Sequence, residues 1–93
     1  MSEQQIANAI RHKLVLSIRY KEEVRVIEPH LLGYDRDGHL TLSAWQISGI
    51  RPGWRDFHVE KLRAMSTTGQ TFAMPRKGYN PMDTTLTRVV CRL

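Results

Sequence analysis

The chain has 93 residues, 41% hydrophobic and 25% charged, with a net charge of +5. That length is one domain with a small core, which argues against a deep enzymatic cleft, and the composition is that of a folded globular protein rather than a disordered or membrane one. No apolar run approaches the roughly 18 residues of a membrane span, the start Met1-Ser2-Glu3-Gln4-Gln5 lacks a signal peptide's features, and the single Cys91 rules out an internal disulfide, so a cytoplasmic location is expected.

The charge is unevenly distributed. Residues 1–46 carry six Lys or Arg against six Asp or Glu, whereas residues 47–93 carry eight against three. A local basic excess attracts polyanions in a salt-dependent way.

In chain order, Ser2 and Gln5 form a capping-box pattern, and Ile6, Ala9, Ile10 and Leu14 recur at helical spacing, which predicts a short amphipathic helix over 3–13. Leu14, Leu16, Ile18 and Tyr20 then alternate with Val15, Ser17, Arg19 and Lys21 as in a half-buried strand, closed by a turn at Lys21-Glu22-Glu23. Val24 to Leu32 reads as a second strand that must bend, bulge or reach an edge at Pro29, which has no N–H for a ladder. Asp37-Gly38 is a hairpin signal, Leu40 to Ile47 a third strand, and Ser48 to Gly53 a loop with Gly49, Pro52 and Gly53. Trp54 to Val59 makes a fourth strand and Leu62 to Thr68 a fifth, interrupted by Gly69. One helix and five short strands predict a mainly β, small, strongly bent barrel over residues 1–68, because so few strands bury a core only by curling on themselves. Residues 69–93 form a C-terminal extension, with turn formers from Pro75 to Pro81 and a last alternating strand from Thr84 to Leu93. That strand needs an edge, either of its own sheet or of a second copy, and the second option would make a homodimer.

Catalytic and metal chemistry find little purchase in the sequence. His12, His30, His39 and His58 have no metal-ligand spacing and no cysteine partners, Asp35-Arg36-Asp37-Gly38 reads as a turn rather than a calcium loop, and no glycine-rich phosphate loop is present. Ser43, Ser48 and Cys91 have no base beside them, so no enzyme activity, metal or cofactor is expected. What stands out is an arginine in each of two apolar strands: Arg25 alternates with Ile27, and Arg55 with Phe57 and Val59. A guanidinium half withdrawn from water needs an anionic partner, either a carboxylate of the chain such as Glu28, Asp56 or Glu60, or a bound phosphate. With His30, Trp45, Trp54, His58, Lys61 and Arg63, these two arginines make a candidate basic and aromatic groove for a nucleotide or single-stranded nucleic acid.

The order of a helix, Ile18-Arg19-Tyr20, Arg25-Val26-Ile27-Glu28-Pro29, a strand ending Ala44-Trp45, then Arg55-Asp56-Phe57 and Glu60-Lys61-Leu62 resembles the WYL domain over about residues 5–68. The resemblance implies a small barrel of the Sm-like, SH3-like type, found in bacterial transcriptional regulators, where it senses nucleotides or single-stranded nucleic acid. It also implies that Arg25 and Arg55 are the pocket arginines, that Lys61 is the basic residue closing the barrel, and that His30 and Trp45 border the groove. Where the family commonly has Trp-Tyr-Leu, this chain reads Leu40-Thr41-Leu42. The start at Met1-Ser2 suggests a free-standing domain that acts on transcription or on a partner regulator protein. The alternative from another class is a protein-interaction or dimerisation module whose arginines are paired internally.

Overall fold

The computed structural model describes residues 3–48 and 51–93. The helix α1 spans Glu3–Arg11 and buries Ile6, Ala7, Ala9 and Ile10, the stripe its spacing requires. It ends two residues before the expected boundary because Lys13 enters the left-handed region at φ 52°, where its N–H still reaches the Ile10 carbonyl. The Ser2 capping pattern and Gly49 lie outside the described residues.

Six strands follow: β1 (Leu14–Tyr20), β2 (Glu23–Asp35), β3 (Leu40–Gln46), β4 (Gly53–His58), β5 (Ala64–Thr71) and β6 (Leu86–Arg92), with a 3₁₀ turn over Val59–Lys61. They form one antiparallel sheet in the order β4-β3-β2-β1-β5, with β6 added to β2. The molecule is therefore mainly β with one N-terminal helix, as expected, and its bent five-strand path is compatible with an SH3-like barrel.

The 13-residue β2 organises the sheet. Along one edge its first half pairs with β1 up to Ile27 and its second half pairs with β6 from Leu31. Pro29 sits in the gap between those two ladders, and the pairing with β3 shifts register between Pro29 and Leu31. The expected accommodation of Pro29 is thus a bulge, at the place where no β1 or β6 carbonyl needs its missing N–H. β5 runs three residues further than its apolar pattern, because Gly69 at φ 87° lies in an irregularity of the β1–β5 pairing instead of ending the strand.

The C-terminal strand finds its edge within its own chain, on β2. Gly33 makes this approach possible: a Cβ there would lie 2.6 Å from the Arg88 carbonyl oxygen, closer than real side chains come. Residues 69–93 therefore share the sheet of residues 1–68. Alternation divides that sheet into two faces. Ile27, Leu42, Ala44 and Phe57 point inward with Ile6 and Ile10 of the helix, and all are at most 1% exposed. Trp45, Trp54 and Asp56 point outward, on the face crossed by the segment that joins β5 to β6.

Candidate functional site

Arg25 and Arg55 lie on the inner face, at the end of the sheet away from the β2–β3 turn. The ladders align Ile27 with Gln46 and Gln46 with Gly53, and two residues along they align Ala44 with Arg55. Period-two alternation then puts Arg25, Gln46 and Arg55 on one face, with Gln46 between the two arginines. The Arg25 side chain is only 15% exposed and its guanidinium lies over two rings, 5.5 Å from the Tyr20 centroid and 5.8 Å from that of Phe57. Its Nη1 donates to Gln46 Oε1 at 3.3 Å, and the nearest carboxylate, on the well-exposed Glu23, is 3.9 Å away. Its buried Nε–H has no hydrogen-bond partner among the described residues. Arg55 donates to the main-chain carbonyls of Trp54 and Arg51 and, among the described residues, forms no ion pair. The two cations are therefore held mainly by neutral groups and rings, with one long contact from Arg25 to the exposed Glu23. The carboxylates expected to neutralise them are engaged elsewhere.

Glu28 is the clearest case. Its side chain is 6% exposed and accepts two hydrogen bonds from Arg76, Nε to Oε1 at 2.7 Å and Nη2 to Oε2 at 3.1 Å. This bidentate pair fixes residues 72–83 as a strap over the outer face. Arg76 also lies over the Trp45 ring at 5.4 Å. The Trp54 indole N–H donates to the Lys77 carbonyl at 3.1 Å, the Tyr79 ring stacks beside it, and Gly78, at φ 91°, passes so close that a Cβ would meet Trp54 Nε1 at 3.0 Å.

His30 and the two tryptophans depart from the expected groove. His30 is fully buried, with Nδ1–H donating to the Glu28 carbonyl at 2.8 Å and Nε2 accepting the Arg76 main-chain N–H at 3.1 Å. Phe72 stacks on its ring, while Trp54 and Tyr79 close around it. Burial pushes its pKa below 6.5, with the Arg76 charge acting the same way and Glu28 opposing. A neutral imidazole with both nitrogens engaged and no exposed surface is a structural post, so His30 leaves the list of ligand contacts. Trp45 and Trp54, expected to stack on bases, already carry Arg76, Lys77 and Tyr79 of the strap.

A cleft of about 250 Å³ remains beside the strap, lined by Ser43, Trp54, Arg55, Asp56, Tyr79 and Asp83 among others. Loss of water pushes the Asp56 carboxyl up, the Asp83 charge adds to this, and Ser43 opposes it by hydrogen bonding. Two carboxylates make this outer cleft a poor place for a phosphate.

The other expected contacts are dispersed. Lys61 is exposed in the 3₁₀ turn, and Arg63 is exposed just after it, where its main-chain N–H bonds the carbonyl of the exposed Arg19. These three form a basic edge at the start of β5. His58 lies at the far end of β4, opposite Thr41, with its ring 4.7 Å from that of His39. The sequence reading missed Arg76, whose only signal was its place in a turn-rich segment, and the grouping of Asp35 with His39 and His58.

No family model matches the chain, and no curated protein or solved structure matches it. Among the described residues no helix is long and apolar enough to cross a membrane.

Proposed function

We propose that the protein is a ligand-sensing domain that binds a phosphate-bearing ligand, a nucleotide or single-stranded nucleic acid, through Arg25 and Arg55. One observation carries this reading: two guanidiniums flank Gln46 on one sheet face with no carboxylate nearer than the exposed Glu23 at 3.9 Å from Arg25, and the more buried of them keeps an Nε–H that has no partner among the described residues. An unsatisfied buried donor costs about 1–3 kcal/mol, and more when it belongs to a charged group as here, a cost that an incoming phosphate oxygen would recover. The basic edge of Arg19, Lys61 and Arg63 extends the positive field for a longer polyanion. The reading agrees with the resemblance to WYL domains and with a role in regulating transcription or a partner protein. Base stacking on Trp45 and Trp54 would require the strap to move, so on the closed form the ligand is held by its phosphates.

Titration of short single-stranded DNA, RNA and mononucleotides at several salt concentrations tests it. Binding should weaken steeply with salt, with a log–log slope near −0.7 per phosphate contact on a single strand. Arg55→Ala should flatten that slope by about one contact. Absence of binding at low salt to all three probes contradicts the reading.

A second reading, a self-association module, rests on β6. Val89 and Val90 are 37% and 36% exposed, and the edge of β6 away from β2 has no ladder partner among the described residues. Light scattering of the intact protein and of Val90→Lys decides it: a dimer that the lysine dissociates supports this reading, and a monomeric wild type removes it.

A further inference from the structure

The turn that ends β2 and the last residue of β4 bring three ligand-type side chains together: Asp35, His39 and His58. Asp35 Oδ2 lies 3.7 Å from His39 Nδ1 and 3.7 Å from His58 Nε2, and one ligand atom from each residue lies within 4.8 Å of the other two. We propose that this cluster is a binding site for a first-row divalent transition-metal ion of the zinc type, held by Asp35 Oδ2, His39 Nδ1 and His58 Nε2.

Four features support it. An ion at about 2.0–2.2 Å from each donor needs ligand atoms roughly 3–3.6 Å apart, so a small inward movement of the side chains closes the set. The carboxylate is already oriented: Oδ1 accepts the main-chain N–H groups of Asp37 and His39 at 3.0 and 2.9 Å, which leaves Oδ2 facing the histidines. His39 turns its other nitrogen, Nε2, toward Glu60 at 3.9 Å, too far for a hydrogen bond, but a small rotation of the exposed Glu60 side chain would make the carboxylate–histidine pair that fixes the tautomer of a metal ligand. Finally, two imidazoles and one carboxylate select zinc, cobalt, nickel, copper or iron over magnesium or calcium, which favour oxygen ligands.

The side chains are partly exposed, 16% for Asp35, 34% for His58 and 42% for His39, so an ion can enter from solvent and keep water in its remaining positions. The sequence hides the site because its histidines come from different strands. His39 follows the Asp37-Gly38 turn, His58 ends β4, and only the antiparallel pairing that aligns Thr41 with His58 brings them side by side. Spacing along the chain offers no metal set, whereas the register across the sheet brings these three side chains together. The inference stands apart from the phosphate reading, since Arg25 and Arg55 lie toward the other end of these strands.

The test uses the intact protein with Zn²⁺ by calorimetry and Co²⁺ by visible absorption, in the absence of nucleic acid. The expected result is one ion per chain, with Co²⁺ bands of nitrogen and oxygen ligation, and NMR shifts concentrated at Asp35, His39 and His58. His39→Ala and His58→Ala should each weaken binding at least tenfold while circular dichroism stays unchanged, and Glu60→Gln should weaken it by a smaller factor. His12→Ala, remote from the cluster, should bind as the wild type. Absence of binding in the folded protein overturns the proposal. So does binding that survives His39→Ala with His58→Ala, or that His12→Ala or Cys91→Ser removes.

Discussion

The two faces of the sheet treat arginine in opposite ways. On the outer face, Arg76 meets Glu28 through two short hydrogen bonds, and around that pair a strap closes over Trp45 and Trp54. On the inner face, Arg25 and Arg55 rest on rings, an amide and carbonyls, with one long contact to an exposed carboxylate. The first arrangement satisfies a cation within the fold and so contributes to stability. The second leaves donors and charge in reserve, and reserve of that kind is what a binding site for an anion needs.

The largest effect expected from breaking this contrast is on the strap. Phe72 is 8% exposed and stacks on His30, so Phe72→Ala should cost about 3–5 kcal/mol in a denaturant melt and should raise Trp54 exposure to a fluorescence quencher. Arg76→Ala comes next. It strands the Glu28 carboxylate, and because Arg76 is itself 45% exposed the expected loss is only about 2 kcal/mol, below the range for fully buried pairs. If Arg76→Ala is silent in a melt, the ion pair does not anchor the strap.

A smaller effect should appear with pH. His30 is held neutral by burial, with a folded pKa below its ordinary 6.5. Just below pH 6.5 the unfolded chain therefore binds more protons than the folded one, so stability rises with pH and falls as the solution is acidified from about 6.5 downward. Denaturant melts at pH 7.5, 6.5 and 5.5 check this, and His30→Gln should flatten the trend over that window.

The smallest stability change is expected on the inner face. Arg25→Met keeps an unbranched apolar stem over Tyr20 and Phe57 and removes an unsatisfied donor, so it should shift stability by no more than about 1 kcal/mol, in either direction. A loss as large as that of Arg76→Ala would mean that Arg25 is structural, and the contrast between the faces would fail.

Much of this fold is legible in the sequence because local signals agree. The helix stripe of Ile6, Ala9 and Ile10, the alternation from Leu14 to Tyr20, the Asp37-Gly38 turn and the bulge at Pro29 each follow from the residues that form them. The anomaly of Arg25 and Arg55 is equally legible, since alternation alone puts them among apolar neighbours. What spacing cannot supply is the partner across the sheet. Glu28 finds Arg76 48 positions away, and Arg76 closes on His30 from a segment whose only visible property is its turn formers. In sequence His30 reads as a groove residue, because basic and aromatic residues look alike there whether they face a ligand or a strap. Asp35, His39 and His58 converge only through the pairing of β3 with β4 and the turn that ends β2.

The most direct test of the account compares the two faces in one binding experiment. Anisotropy of a labelled single-stranded oligonucleotide at low salt is measured for the wild type, for Arg25→Met with Arg55→Ala, and for Arg76→Gln. The account predicts that the inner-face pair loses at least tenfold in affinity while its thermal melt remains close to wild type, and that Arg76→Gln binds at least as well as the wild type despite a lower melting temperature. Affinity that survives loss of both inner arginines, or that falls with Arg76 instead, would contradict it.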